Sequence, residues 1–289
     1  MLIEKLEAHK TKKGIIRFIR EIAKKSNTNS FVIGLSGGLD SSVVAYLLKE
    51  AIGSENIKGY HLYSETTPKE DTKHAKEIAT LLKIEYKEIA IDSISKDFLN
   101  ILDSLDIIKK ETNHLNENKS KIAEEKIAEG NLKARIRMSI LYYFANMNNS
   151  LVAGTGNKSE LLIGYFTKYG DGACDIEPIG HIYKSQLQEL AKDWGIPEEI
   201  IAKPPRAGLW EDQSDEEEIG FSYEVLDLLL QMIVDEKKDN REMRKLLEEL
   251  AIPLEITEIN SIRKKIAINQ HKTEIPPNPN TEKLLFKNI

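Results

Sequence analysis

An uninterrupted apolar run, Phe31-Val32-Ile33-Gly34-Leu35, stops at Ser36-Gly37-Gly38-Leu39-Asp40-Ser41, and helical spacing begins at once in Ser42-Val43-Val44-Ala45-Tyr46-Leu47-Leu48. A short apolar run closed by glycines reads as a buried strand, so the segment is a strand, a sharp turn and a helix start. Paired glycines let the backbone turn tightly and remove the Cβ atoms that would bar a ligand. The amides of such a turn, with the first helical turn, form a nest for phosphate oxygens. Ser36 and Ser41 add hydroxyl donors. Asp40 is an odd neighbour for phosphate unless a divalent cation bridges the two. An ordinary glycine turn, with Asp40 or Ser41 as helix cap, remains open at this point. Neither the lysine-bearing phosphate loop G-x-x-x-x-G-K-[ST] nor a G-x-G-x-x-G fingerprint follows this strand.

The same alternation continues along the chain. Strands are expected at 57–62, 86–90 and 151–153, and helices at 3–25, 69–82, 92–109 and 122–146. This rhythm predicts a parallel sheet with helices on both faces. Residues 110–121 are rich in Asn and Lys and read as a linker. Pro204, Pro205 and Gly208 mark 203–214 as a loop, and helices follow near 221–233, 237–249 and 254–267 before a Pro/Asn-rich tail. Residues 1–289 thus read as one α/β domain with a helical C-terminal third.

Composition limits what this fold can serve. The formal charge is 41 − 47 = −6, with no concentrated basic-aromatic segment, which argues against a nucleic-acid partner. No run approaches the roughly 20 apolar residues of a membrane helix. The N-terminus is charged throughout rather than signal-like, so the cytoplasm is the expected location. Cys174 is the only cysteine, which leaves no disulfide framework and no paired-cysteine zinc site.

Ser36-Gly37-Gly38-Leu39-Asp40-Ser41 matches SGGxDS, the PP-loop signature of the ATP pyrophosphatase superfamily. In that resemblance the loop grips the β,γ-pyrophosphate of ATP, a substrate oxygen is adenylated, and a nitrogen or sulfur nucleophile displaces AMP. Sulfur transfer commonly needs a cysteine pair or an iron–sulfur site. A built-in glutaminase would need its own domain and a nucleophilic cysteine, and little chain precedes Phe31. Longer words narrow the resemblance. They are Asn131-Leu132-Lys133-Ala134-Arg135-Ile136-Arg137-Met138, Gly154-Thr155-Gly156-Asn157-Lys158-Ser159-Glu160, and Gly164-Tyr165-Phe166-Thr167-Lys168-Tyr169-Gly170-Asp171-Gly172. With Pro178-Ile179-Gly180, Tyr183-Lys184, Lys203-Pro204-Pro205-Arg206-Ala207-Gly208-Leu209-Trp210 and His271-Lys272, the chain resembles the ammonia-dependent NAD synthetase family. Arg206 departs from that pattern, which often has a small residue there, and Tyr60-His61-Leu62-Tyr63-Ser64 departs where the family tends to have Met-Pro.

The resemblance implies a Rossmann-like parallel sheet flanked by helices, of the PP-loop, adenine nucleotide alpha hydrolase-like type. It implies an ATP-dependent carbon–nitrogen ligase with deamido-NAD, ATP and ammonia as substrates, Mg²⁺ as cofactor and a homodimer as working unit. Gly34, Ser36, Gly37, Gly38, Asp40, Ser41, Thr155 and Lys184 would bind ATP. Asp40 and Glu160 would hold the metal, and Asn131, Arg137, Lys168, Asp171, Asp175, His271 and Lys272 would bind the dinucleotide. Asp40, Glu160, Lys184 and Asp171 would carry the chemistry. Residues 203–220 would form a mobile active-site loop, and 276–289 a C-terminal tail.

Plainer roles stand beside several of these. Asn157 and Glu160 have the spacing of a capping box, and Lys184 alone would be a surface lysine. Arg135 and Arg137, two apart on a helix, point in different directions, and Ser214 followed by Asp215-Glu216-Glu217-Glu218 suits an ordinary helix start. Cys174 reads as a small buried filler. The apolar surplus of 122–146, with Ile122, Ile127, Leu132, Ile136, Ile140, Leu141, Tyr142, Tyr143 and Phe144, fits either a dimer face or a central helix. Another PP-loop amide-forming ligase is the nearest alternative, and a non-catalytic adenine-nucleotide-binding regulator the more distant one.

Overall fold

The computed structural model describes residues 2–104, 119–206, 208, 210 and 213–277. Four parallel strands, β1 (Phe31–Gly34), β2 (Ile57–Tyr63), β3 (Glu85–Ala90) and β4 (Leu151–Ala153), form one sheet in the order β3-β2-β1-β4. Around it the chain forms α1 (Ala8–Lys25), α2 (Leu39–Ile52), α3 (Lys69–Leu82), α4 (Asp92–Ser104) and α5 (Lys119–Met147). Then come α6 (Lys158–Ile163), α7 (Lys184–Asp193), α8 (Glu198–Ile201), α9 (Asp215–Ile219), α10 (Tyr223–Leu230), α11 (Asn240–Glu249) and α12 (Ile256–Asn269).

The unbroken apolar run of β1 is explained by burial on both faces. Phe31 and Ile33 join the core made by α1, α2, α3 and α7, whereas Val32 packs with Tyr60, Leu62 and Val152 beneath α5. A third cluster holds Leu226, Leu229, Met243, Leu247, Ile259 and Ile262 of the C-terminal helices against Ile163 and Tyr183. That cluster anchors the end of α6 and the start of α7. Where β1 and β4 lie side by side, the connections leave the sheet in opposite directions, and a crevice opens at their carboxyl ends.

Several boundaries differ from the sequence expectation. The first helix starts at Ala8, with Glu7 as its cap, because Ile3 leaves the helical pattern to pack in the C-terminal cluster. The helix expected over 92–109 is present from Asp92 to Ser104, and its expected end lies outside the described residues, with 105–118. The expected linker 110–121 is overlapped by α5, which starts at Lys119. Most of the apolar surplus of α5 is consumed by its own sheet: Ile136 and Leu141 are buried, and Leu132, Ile140, Tyr142 and Phe144 pack beside them. Ile127 and Tyr143 stay exposed, and the side chain of Ile122 lies outside the described residues. The tail beyond residue 277 also lies outside them.

Candidate functional site

The turn after β1 is held by its own hydroxyls. Gly38 N–H donates to Ser36 Oγ at 3.2 Å, Ser41 Oγ donates to Gly38 O at 3.2 Å, and the Ser36 and Ser41 hydroxyls lie 3.0 Å apart. Gly38 takes the cap position of α2, not Asp40 or Ser41, so Asp40 is left in the first turn of the helix. Gly37 has a φ of +80°, and a Cβ there would overlap the backbone carbonyl of Asp71. Only glycine lets the turn press against the first turn of α3.

A second glycine turn leaves β4. Asn157 caps α6 in a complete capping box: its side-chain oxygen accepts the Glu160 N–H at 3.1 Å, and Glu160 Oε2 accepts the Asn157 N–H at 3.3 Å. The plainer role of this pair is therefore real, but Glu160 Oε1 is left facing the cleft, 3.8 Å from Lys184 Nζ. Asn157 also donates its amide to Asp40 Oδ1 at 3.1 Å, and Lys184, first residue of α7, pairs with Asp40 Oδ2. Lys184 is buried, not a surface lysine.

One buried ammonium thus sits between two carboxylates from two different loops. Burial, then the neighbouring Asp40 charge, push the Glu160 carboxyl well above its usual range, while Lys184 pulls it back. Burial alone would lower Lys184, but Asp40 and Glu160 reverse that and hold it protonated. Asp215, at the start of α9, adds a further negative charge and accepts the Tyr165 hydroxyl at 3.0 Å. Ser214 occupies the cap position of α9, but its side chain makes no capping bond.

The loop from Lys203 approaches the phosphate turn from the α3 side. Lys203 Nζ donates to Gly37 O at 3.1 Å and pairs with buried Asp71, which also accepts Arg206 at 2.8 Å. His61 fixes the same corner. Its Nδ1 donates to Leu35 O at 2.7 Å and its Nε2 accepts the Thr72 hydroxyl at 2.9 Å. Burial lowers the ring's pKa and favours this neutral form.

These groups line one cleft of about 520 Å³. Gly34, Ser36, Gly38, Asp40, Ser41, Thr155, Glu160 and Lys184 lie on its walls, as do Asn131, Arg137, Asp171 and Lys272 at the other end. Arg137 donates from Nε to Leu62 O at 2.8 Å, whereas Arg135 turns outward to Lys168 O. Asn131 accepts the Thr167 hydroxyl at 2.6 Å. Asp171 accepts the Thr167 N–H at 3.0 Å, and desolvation raises its carboxyl against that bond.

Gly37, Lys168, Asp175 and His271 are not on the cleft wall. Gly37 shapes the turn from behind. Lys168 bonds to His271 O, and Asp175 accepts the Val152 N–H at 2.7 Å. Cys174 is half-buried and donates to Glu177 Oε1 at 3.2 Å; burial pushes the thiol up, as befits a filler.

Sequence reasoning passed over Asp71, the bonds made by His61, and the Asn157–Asp40 bond. Asp71 carried no signal, because its partners Lys203 and Arg206 lie far away in the chain. His61 was visible only within a segment that departs from the family pattern, and Asp215 only within an acidic helix start of the 203–220 loop, not as a neighbour of Glu160 and Lys184.

A family model described as NAD synthase matches residues 12–276. An NH(3)-dependent NAD(+) synthetase of Methanocaldococcus jannaschii is 46% identical over 269 residues, covering 92% of this chain and 94% of its own. Among solved structures, an NMN synthetase from Francisella tularensis superposes with a TM-score of 0.76 at 29% identity, covering 96% of this chain and 100% of its own. An NH3-dependent NAD synthetase from Campylobacter jejuni gives 0.71 at 32% identity, over 94% of this chain and 99% of its own.

Proposed function

The chain belongs to the NAD synthase family, and from that membership we propose how its cleft divides the labour of ammonia-dependent NAD synthesis. The reaction joins ammonia to the nicotinate carboxylate of deamido-NAD with ATP cleaved to AMP and pyrophosphate. The carboxylate attacks the α-phosphate, the bond between the α and β phosphates breaks, and the acyl-adenylate is then opened by ammonia.

The observation that carries the assignment of roles is the Lys184 ammonium shared by Asp40 and Glu160, at the meeting of two glycine turns. The amides after β1 cradle the β,γ-pyrophosphate, and Lys184 stabilises the charge that builds as it leaves. Asp40 and Glu160 would hold Mg²⁺, a hard cation that suits carboxylate oxygen. When bound, the ion neutralises phosphate charge. Thr155 lies against the phosphates, and Asn131, Arg137 and Lys272 hold the dinucleotide. Lys168, Asp175 and His271 support that end from behind. Asp171 draws ammonium in, and its raised pKa suits it to accept a proton as the new C–N bond forms. The 203–220 segment closes over the adenylate and keeps water out.

The working unit is a two-fold dimer. Ile94, Phe98 and Ile101, at helical spacing, form an exposed apolar stripe along α4, and Ile127 and Tyr143 of α5 are exposed as well. Among the described residues no helix is long and apolar enough to cross a membrane. The proposed setting is the cytoplasm, without membrane or nucleic-acid partners.

Purified protein with ATP, deamido-NAD and ammonium should yield NAD, AMP and pyrophosphate, and Cys174→Ser should leave that rate unchanged. Efficient use of glutamine, lost on changing Cys174, would overturn the reading. The likeness to an NMN synthetase makes nicotinate mononucleotide the natural competing substrate. A higher kcat/KM for the mononucleotide would reassign the acceptor while leaving the adenylation chemistry in place.

A further inference from the structure

Glu160 and Lys184 stand in the first turns of two short helices. What fixes their separation is a third element. Asp227, in the middle of α10, is fully buried, and its carboxylate reaches both helix starts at once. Oδ2 accepts the backbone N–H of Ser185 at 2.8 Å, and Oδ1 accepts the hydroxyl of Ser159. The same Ser159 oxygen accepts the backbone N–H of Lys184 at 2.9 Å. Ser159 directly precedes Glu160 and Ser185 directly follows Lys184. Two first-turn N–H groups that have no partner within α7 are therefore answered from outside it, one by a carboxylate and one by a hydroxyl bound to that carboxylate.

From this network we infer that Asp227 is a positioning residue, which sets the distance between Glu160 and Lys184 by clamping the first turns of α6 and α7. The inference rests on the roles proposed above for that pair.

The geometry makes the clamp specific. Ser159 can accept the Lys184 N–H and donate to Asp227 only if the facing carboxylate oxygen carries no proton. Ionisation is opposed by burial and favoured by the Ser159 and Ser185 donors. A neutral amide of the same shape cannot keep the pattern as it stands: with its oxygen on the Ser185 N–H, its NH₂ faces Ser159, which must then turn its own proton away and accept from the amide and from the Lys184 N–H together. The clamp also lies outside the cleft, because neither Ser159, Ser185 nor Asp227 is on its wall. Its removal should therefore disturb the alignment of charge on the leaving pyrophosphate more than the capture of substrate.

The test compares Asp227→Asn, Ser159→Ala and the double variant by ATP–pyrophosphate exchange with deamido-NAD. Leu247→Ala serves as a variant that loosens the same helical cluster through α11, and Glu160→Gln as a direct loss. Asp227→Asn and Ser159→Ala should each lower kcat by about 10–100-fold, with KM for ATP moving by no more than about threefold. The double variant should be no worse than the poorer single variant, because both break one network. Leu247→Ala should lower Tm while keeping kcat within about twofold of wild type. Should Asp227→Asn fail to fold, Ser159→Ala with Leu247→Ala decides alone. Wild-type kcat in folded Asp227→Asn or Ser159→Ala, multiplicative losses in the double variant, or an equal kcat loss in Leu247→Ala would each overturn the inference. Wild-type exchange in Glu160→Gln would instead remove the proposed role of Glu160.

Discussion

Asn157 donates its side-chain amide to Asp40 Oδ1 at 3.1 Å while its side-chain oxygen caps α6, so one residue ties the first turn of α2 to the first turn of α6. Cap and cross-link separate on substitution. Asn157→Ala should cost about 1 kcal/mol of stability, from the lost cap, and lower pyrophosphate exchange about tenfold or more. Asn157→Ser keeps a cap acceptor but carries no amide to reach Asp40. Stability should return and activity should not. Equal recovery of both, read from urea midpoints and exchange rates, would refute the cross-link.

Asp40→Asn and Glu160→Gln should each reduce adenylation by about 10²–10³-fold without unfolding the protein. Glu160→Gln should be the milder for stability, since burial already disfavours its charged form. Circular dichroism melts beside exchange assays separate the two effects, and wild-type exchange in either folded variant would remove that carboxylate from the mechanism.

Much of this site is legible in the sequence, and the reason is local. Ser36 to Ser41 and Gly154 to Glu160 are continuous words, each made of a strand end, a turn and a helix start, so the chain itself brings their groups together. Lys184 was harder: it is one lysine at a helix start, and only the cluster beneath α7 turns it inward. Asp71 and Asp227 were invisible, because each gains its meaning from partners more than 25 residues away. The boundary of α1 was missed for a related reason. Ile3 fits a helical period, yet a tertiary contact claims it.

Glu177 gives stability a pH dependence of known sign. Burial, acting first, lifts its carboxyl from near 4.5 to about 7, against the Cys174 thiol and the Gly156 N–H. The folded state therefore holds more protons than the unfolded state between those values, and stability falls as pH rises through that window, then levels. In Glu177→Gln this component should vanish. The drop in urea midpoint from pH 4.5 to 8 should shrink by an amount worth up to about 3 kcal/mol. An unchanged slope would show that Glu177 ionises freely in the fold.

Phe98→Glu with Ile101→Glu places two charges on the exposed stripe of α4. Light scattering after size exclusion should report about half the wild-type mass. The KM for deamido-NAD should rise more than that for ATP, whose loop after β1 lies in the subunit's own core. A wild-type protein that is monomeric and active at assay concentration would end the dimer proposal.

Lys272 closes the far wall of the cleft by donating to the carbonyls of Gly164 at 2.7 Å and Phe166 at 3.0 Å. The phosphate turn ends at Ser41, 272 − 41 = 231 residues earlier. On a ribosome adding about 5–20 residues per second, roughly 10–50 s separate the two. During that interval the glycine turn is made but the pocket has no back, and a nucleotide meeting the nascent chain finds only half a site. Birth of the activity therefore comes late in translation, and a chain released before Lys272 should carry the phosphate loop yet fail to retain the dinucleotide.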